Sequence, residues 1–278
     1  MTGLAIEYAG FNASGLEEWQ GFAEDVLGVA ADPGPGGTLR LRIDERAFRL
    51  AIHEDGGDGA LAYVGWRCVD PVSLDSRAEE FRGRGVDVVA LSTADAEMRG
   101  VRRGFAVTDP DGYRMEFIWG SDHRLDVRAL GGRALSPATL WLGHVVIGVS
   151  DIERSLDFYL SAGMRLTDLY ESRIAFLHCD RRHHSLALVG TEDLGVRHIM
   201  LEAGSMADLG ILYDRAVVGG WATRGLGQHV NDEAVTFYCR TPSESSMELA
   251  WGSRVIDPST WTPRLLEGPM SYWGHPHL

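Results

Sequence analysis

The stretches Arg114-Met-Glu-Phe-Ile-Trp-Gly120 and Ser246-Met-Glu-Leu-Ala-Trp-Gly252 carry the same motif, which indicates an internal duplication of the chain. Each stretch places one glutamate inside an apolar run that otherwise has the pattern of a buried strand. Upstream of each motif an apolar run precedes a helical pattern, at 61–66 before 72–85 and at 198–201 before 206–219. Two such copies predict two similar modules in tandem.

The elements outside these motifs follow the same order in both halves. Residues 151–159 predict a capped amphipathic helix with Ser150 or Asp151 as its N-cap, and residues 10–22 are expected to form the corresponding helix of the first half. Short runs with β-strand composition lie at 38–43, 48–52, 173–177 and 185–189. This alternation of helices and strands predicts an α+β fold.

A glycine- and proline-bearing stretch at 130–137 marks the join between the two halves. We therefore predict an N-terminal module at 1–131 and a C-terminal module at 132–278.

The composition is that of an ordinary globular protein and excludes several functional classes. With 26 basic and 40 acidic residues the net charge is −14, which argues against binding to nucleic acid. No apolar stretch is long enough for a membrane span, and the N-terminus lacks a basic region before a hydrophobic segment. The three cysteines, Cys68, Cys179 and Cys239, are odd in number and widely separated in the sequence, which predicts reduced thiols and a cytoplasmic location.

Three residues of the second half form a candidate metal site. His144, His198 and Glu248 each lie on a separate predicted strand. Two imidazoles and one carboxylate leave open positions on a divalent metal, which suits non-haem Fe(II) better than closed structural zinc. Taken singly, each histidine could be a hydrogen-bonded core residue and the glutamate a half-solvated one.

The duplication provides an internal control for this site. Superposing the two halves places Tyr8 opposite His144, Val64 opposite His198, and Glu116 opposite Glu248. Both histidines occur only in the second half, so packing of the module is the weaker explanation for them. We expect the first module to be free of metal.

Further titratable residues of the second half complete a family resemblance. The motifs that carry it are Leu142-Gly-His-Val, Arg-His-His-Ser-Leu-Ala, Arg-His-Ile-Met-Leu-Glu, Gly-Gln-His-Val-Asn-Asp, Phe-Tyr-Cys, Met-Glu-Leu-Ala-Trp-Gly and Trp273-Gly-His275. Over almost its whole length the chain resembles the two-domain, type I extradiol ring-cleaving dioxygenases of the vicinal oxygen chelate superfamily. It most resembles their 2,3-dihydroxybiphenyl 1,2-dioxygenase branch.

The resemblance implies a fold, a reaction and a cofactor. Each module would be a pair of βαβββ units whose curved sheets enclose the metal in the C-terminal half. The reaction would be extradiol (meta) cleavage of a catecholic ring with insertion of both atoms of O2, in aerobic catabolism of aromatic compounds. The cofactor would be one Fe(II), with Mn(II) as a substitute, and its ligands would be His144, His198 and Glu248.

The resemblance also assigns roles around the metal. The family's acid/base histidine falls on His184 or on its neighbour His183. We favour His184, and His183 reads equally well as part of a basic, solvated strand end. The partners of the substrate hydroxyl groups fall on His229 and Tyr238, although Tyr238 could simply be a β-sheet residue with its hydroxyl at the sheet edge.

Five further residues are expected around the substrate, and His183 is one of them. Asn231 and Asp232 are interpreted as residues that support the site from behind or as turn residues, and Asp232 could orient His229 by accepting its ring proton. Val146 and Phe176 are expected in the pocket wall, together with residues 270–273.

Two alternative functions remain open from the sequence. The same fold could carry a metal-dependent isomerase or transferase reaction, or it could be a metal-free protein that binds small molecules. A metal assay separates the last reading from the others. The resemblance further implies a homo-oligomer, often an octamer, whose partners are a catechol and O2.

Overall fold

A computed structural model of the chain describes residues 3–55, 59–123 and 140–278. These residues form two sheets, one of 8 strands from the first half and one of 10 strands from the second half. The α+β prediction is therefore confirmed. The predicted boundary at 131/132 and the glycine- and proline-bearing stretch at 130–137 lie outside the described residues, so the division into two modules there stays a prediction.

The first sheet contains two βαβββ units. Its elements are β1 (Leu4–Ala13), α1 (Leu16–Gly21), β2 (Ala30–Pro33), β3 (Thr38–Arg42), β4 (Leu50–Glu54), β5 (Ala60–Cys68), α2 (Pro71–Gly83), β6 (Val89–Ala90), α3 (Thr93–Arg99), β7 (Val101–Thr108) and β8 (Arg114–Ser121). The strand order is β2-β3-β4-β1-β5-β8-β7-β6, so the two units meet at the antiparallel pair β1 and β5.

The second sheet repeats this plan and adds two strands at its edges. Its elements are β9 (Leu140–Val149), α4 (Ile152–Ser161), β10 (Arg165–Tyr170), β11 (Ile174–His178), β12 (Leu186–Gly190), β13 (Gly195–Ala203), α5 (Met206–Val218), β14 (Ala222–His229), β15 (Val235–Arg240), β16 (Ser246–Trp251), β17 (Arg264–Leu266) and β18 (Ser271–Gly274). The order is β17-β10-β11-β12-β9-β13-β16-β15-β14-β18.

The helices begin where the sequence provides side-chain caps. The Asp151 carboxylate accepts hydrogen bonds from the backbone N–H groups of Glu153 and Arg154, which fixes the start of α4. Asp70 and Ser205 cap α2 and α5 in the same way.

The N-terminal helix differs from the prediction. Residues 10–13 continue β1 as a strand, and α1 begins only at Leu16. The chain turns at Gly15, whose φ of 74° is a left-handed conformation that glycine adopts without strain. A π-helical segment, Phe22–Leu27, then extends α1.

Helices of the two halves pack against each other through aromatic rings. The ring of Phe81 on α2 contacts Phe117 on its own sheet and Phe158 on α4, each with a centroid separation of 5.4 Å. Close by, the Tyr113 hydroxyl donates a 2.8 Å hydrogen bond to the carbonyl oxygen of Gly148. The first half of the chain thus packs against the half that carries the candidate site and stabilises it.

The strand registers correct one detail of the predicted duplication. In the first sheet Gly65 pairs with both Tyr8 and Glu116, and in the second sheet Met200 pairs with the corresponding residues. The position equivalent to His198, two residues before Met200, is therefore held by Tyr63 and not by Val64. The sequence superposition was wrong by one residue here, because apolar strands give little indication of register.

Among the described residues, no helix is both long enough and apolar enough to cross a membrane.

Candidate metal centre

Three neighbouring strands bring His144, His198 and Glu248 together. Strands β9, β13 and β16 are adjacent in the sheet, and both His144 and Glu248 pair with Met200 of the central strand. His198 lies two residues before Met200 and therefore on the same face. The alternation of strand side chains thus turns all three residues towards one point.

The distances between the ligand atoms fit one metal ion. His144 Nε2 lies 3.2 Å from His198 Nε2 and 3.2 Å from Glu248 Oε2, and His198 Nε2 lies 3.0 Å from the same oxygen. Three atoms at right angles around a metal, each about 2.1 Å from it, are about 3.0 Å apart. The three residues therefore have the spacing of one face of an octahedron.

The electrostatics of the site also suit a cation. Burial lowers the pKa of His144, which keeps the imidazole in its neutral, coordinating form. Burial acts to raise the pKa of Glu248, but the hydrogen bonds from His144 and His198 outweigh it and leave that pKa well below its usual value. A charged carboxylate thus lies between two imidazole nitrogens.

The second oxygen of Glu248 faces a tyrosine and a third histidine. The Tyr238 hydroxyl donates to Glu248 Oε1 at 2.9 Å, and His229 Nε2 lies 2.8 Å from that hydroxyl and 3.1 Å from the same oxygen. Burial, and then the Glu248 charge, raise the pKa of Tyr238 well above its usual value. Burial acts to lower the pKa of His229, but its hydrogen bond with Glu248 raises it to about 9.

His184 lies on the other side of the ligand set. Its ring stacks on His144 with centroids 4.1 Å apart and 27° between the planes, and the edge of Phe176 packs against it. Burial, followed by the neighbouring His144, lowers the pKa of His184 well below its usual value. A neutral imidazole therefore adjoins the three ligands without being one of them.

These residues line a cavity of about 230 Å³. The predicted residues in its wall are His144, His198, Glu248, His184, His229, Tyr238, Val146, Phe176, Asn231, Asp232 and Met270. The candidate metal ligands lie close together in this wall, and Val146, Phe176 and Met270 supply aliphatic and aromatic surface to it. This lining suits an apolar molecule that also carries polar atoms.

Two expectations about the surroundings of the site need correction. His183 is not solvated but fully buried, because its ring is enclosed by Phe176, His184 and Trp261. Asp232 makes no hydrogen bond with His229; its carboxylate lies 4.0 Å from His184 Nδ1.

The prediction missed several residues around the site. Ile174, Ala187, Val189 and Arg197 also line the cavity. The first three share a face of strands β11 and β12 with predicted wall residues, so period-two alternation could have identified them. Arg197, which is ion-paired with Asp193 at 2.6 Å, could not have been distinguished from a surface residue.

In the first sheet an arginine lies beside the glutamate that corresponds to Glu248. Glu116 is fully buried, and the Arg99 guanidinium binds it through two hydrogen bonds of 3.0 Å. Tyr8, at the position of His144, donates to the same carboxylate at 2.9 Å. Tyr63, at the position of His198, lies beneath the guanidinium with its ring centroid 3.7 Å from Arg99 Cζ. Arg114 Nε also donates to Glu116 Oε1 at 2.8 Å, so two protein cations balance this carboxylate.

Sequence comparisons relate both halves to known families. Residues 141–249 match the Glyoxalase/Bleomycin resistance protein/Dioxygenase superfamily, and residues 6–55 match dihydroxybiphenyl dioxygenase BphC D1. The chain is 33% identical to the biphenyl-2,3-diol 1,2-dioxygenase of Paraburkholderia xenovorans, over 99% of this chain and 96% of that protein. It is 31% identical to the 3-methylcatechol 2,3-dioxygenase of Pseudomonas putida, over 97% and 96% respectively.

The fold agrees with solved structures. A crystal structure of a catechol 2,3-dioxygenase superposes with a TM-score of 0.89 at 31% identity, covering 98% of this chain and 94% of the other. The predicted pairs of βαβββ units are therefore confirmed as the fold.

Proposed function

This chain belongs to the extradiol ring-cleaving dioxygenases, and we propose that it performs their reaction at one Fe(II) held by His144, His198 and Glu248. Extradiol cleavage opens a catecholic ring beside its two hydroxyl groups and inserts both atoms of O2. The observation that carries the proposal is the 3.0–3.2 Å spacing of the three ligand atoms in the wall of a cavity that also offers apolar surface.

The donor set fits the chemistry of Fe(II). Two neutral imidazoles and one carboxylate leave a net positive centre, and Mn(II) accepts the same donors. When bound, the ion would supply Lewis acidity and open positions for two catechol oxygens and O2. The substrate therefore enters a site whose protein ligands cover only one face.

Tyr238 and His229 would hold the substrate hydroxyl groups. Both reach Glu248 Oε1 from the cavity side. The raised pKa of Tyr238 keeps its phenol protonated, so that it can donate a hydrogen bond to a deprotonated substrate oxygen. Two fixed partners on one edge of the ring would define which carbon is presented for cleavage.

His184 would move the proton that the reaction requires. It is neutral, it lies beside the ligand set, and it lines the cavity. A neutral imidazole can accept a phenolic proton and later return it as the ring opens. The apolar wall around Phe176 would exclude water, so that the proton stays within the site.

The aliphatic wall suggests a catechol with an apolar substituent. Val146, Ile174, Val189 and Met270 supply apolar surface to the cavity. Burial of a methyl group, a phenyl group or a fused ring there would stabilise the bound substrate by about 25 cal/mol per Å² of apolar surface. A charged substituent would be excluded unless it reached Arg197.

The test is turnover by the iron-loaded protein. The protein is loaded anaerobically with Fe(II) and mixed with O2 and with catechol, 3-methylcatechol, biphenyl-2,3-diol or 1,2-dihydroxynaphthalene. We expect a yellow ring-fission product, with the highest kcat/KM for an apolar-substituted ring. Protein loaded with one iron per chain that consumes no O2 with any of these compounds would refute the proposal.

We also propose a homo-oligomer, such as an octamer, in the cytoplasm. The family resemblance supports the assembly, and the three buried cysteines, none of which forms a disulfide among the described residues, suit a reducing compartment. Light scattering of the purified protein would test the assembly, and a mass of one chain would refute it.

A further inference from the structure

Behind His184 lies a buried row of hydrogen-bonded polar side chains that does not line the cavity. His183 Nδ1 lies 3.1 Å from His184 Nδ1, and His183 Nε2 lies 2.9 Å from Asp168 Oδ2. Both His183 and Asp168 are fully buried. Both nitrogens of the His183 ring are therefore engaged, one by a carboxylate and the other by the histidine of the active site.

Asp168 is held in place from the far side. The backbone N–H of Arg264 donates to Asp168 Oδ1 at 2.8 Å, and its guanidinium binds the carboxylate through Nε and Nη2. Burial acts to raise the pKa of Asp168, but the hydrogen bonds with His183 and then Arg264 lower it overall. The group is thus a charged carboxylate that only accepts hydrogen bonds.

These contacts fix the positions of the hydrogen atoms on His183 and His184. Since Asp168 only accepts, His183 must donate from Nε2, and the tautomer of His183 with that single hydrogen accepts at Nδ1. The facing Nδ1 of His184 must therefore carry the hydrogen. This leaves the lone pair of His184 on Nε2, which makes the ring a proton acceptor towards bound substrate.

The first module lacks this arrangement. The strand registers place Ala47 at the position of His183, Phe48 at that of His184 and Asp32 at that of Asp168. Phe48 stacks on Tyr8 just as His184 stacks on His144, so packing alone is satisfied without imidazoles. Asp32 instead pairs with Arg42 and has 42% of its side chain exposed. The linked histidines therefore accompany the candidate metal centre.

We propose that Asp168 and His183 are positioning residues that hold His184 in the tautomer with hydrogen on Nδ1 and fix the plane of its ring. The inference rests on the proposed function, because it requires His184 to be the acid/base group. Asp168 and His183 act only through His184 and touch neither substrate nor metal. The arrangement resembles the buried aspartate that fixes the tautomer of the histidine in serine proteases.

A double-mutant cycle tests this role. Asp168→Asn keeps the side-chain shape but removes the charge and one acceptor. An asparagine amide that donates to His183 Nε2 would reverse the tautomers of His183 and His184. We expect kcat to fall on the order of 10²–10⁴-fold, while iron content, KM and anaerobic catechol binding stay unchanged. In the background of His184→Phe the same substitution should cause no further loss, because residues that act as a unit are not additive.

The outcomes separate this inference from the proposed function. One outcome would refute the inference and leave the proposed function intact. In that outcome His184→Phe is impaired, and adding Asp168→Asn lowers its turnover by the same factor as in the wild type, so Asp168 does not act through His184. Wild-type kcat in Asp168→Asn would also overturn the inference. Wild-type kcat in His184→Phe would overturn the acid/base role and the inference with it.

Two further variants control for structural effects. Asp109→Asn alters another buried carboxylate, which accepts a 2.6 Å hydrogen bond from Tyr159 and does not line the cavity, and it should keep wild-type kcat. His183→Phe keeps an aromatic ring but removes the link, so it replaces Asp168→Asn if that variant does not fold. It should show the same loss of kcat and the same lack of additivity, and additive losses would overturn the inference.

Discussion

Replacing Glu116 with glutamine should destabilise the protein without affecting its metal. Glu116 has the register position of Glu248, but its carboxylate is bound by Arg99, Arg114 and Tyr8. Glutamine keeps the shape and one acceptor oxygen and removes the charge. The Arg99 side chain, which is only 6% exposed, then keeps its positive charge without an ionic partner.

The magnitude follows from the burial of the pair. Removing one member of a buried ion pair typically costs about 3–5 kcal/mol, because the remaining charge stays desolvated. For a protein of this size roughly 2–4 °C of Tm corresponds to 1 kcal/mol. We therefore expect Glu116→Gln to lower the Tm by roughly 6–20 °C.

Calorimetry and elemental analysis of the same preparations measure both effects. Glu116→Gln should show the lowered Tm with one iron per chain and wild-type turnover at a temperature where it is folded. Glu248→Gln is the matched variant in the second module, and it should lose iron. A large loss of iron from Glu116→Gln would show that the duplication is misread, and an unchanged Tm would show that the guanidinium does not depend on this carboxylate.

Further predictions concern the second module. Elemental analysis should find one metal per chain in the wild type and none after His144→Ala combined with His198→Ala; two metals in the wild type or one in the double variant would contradict the ligand set. His184→Phe should retain iron and bind catechol anaerobically while turnover falls steeply, whereas Glu248→Ala should lose activity with its iron and recover little when Fe(II) is added. Because folding lowers the pKa of Asp168, its contribution to stability is present above the unfolded value of about 4 and is lost as the pH falls below it. The stability difference between wild type and Asp168→Asn in urea unfolding should therefore shrink from about pH 6 to about pH 3, and a constant difference would contradict this.

The candidate ligands could be predicted because each leaves a local mark in the sequence. An imidazole or a carboxylate inside an apolar run is conspicuous, and the duplicated motif around Glu116 and Glu248 shows where the two halves correspond. The order of strands and helices followed from the same periodicities. The register of the strands was harder to predict, because adjacent apolar residues differ little in sequence pattern. Tyr63, not Val64, therefore proved to correspond to His198.

The supporting residues could not be predicted, because their partners are distant in the chain. Arg264 binds Asp168 across 96 residues, and the sequence around either one is that of an ordinary surface strand. Arg99 occupies the last turn of a helix, where a basic residue is expected to favour the helix dipole and remain solvated. Only the folded sheets show that these charges are turned inward.

The two modules illustrate two ways to balance a buried glutamate at one position of the fold. A carboxylate in the interior requires a positive partner, since its desolvation is otherwise too costly. In the first module the partners are the guanidinium groups of Arg99 and Arg114, which bind both oxygens of Glu116, and the ring of Tyr63 covers one face of the Arg99 guanidinium. In the second module two imidazoles replace the tyrosines, and the partner we propose is a metal with open positions. The replacement of Tyr8 and Tyr63 by His144 and His198 thus marks the difference between a module that stabilises the chain and one that carries the reaction.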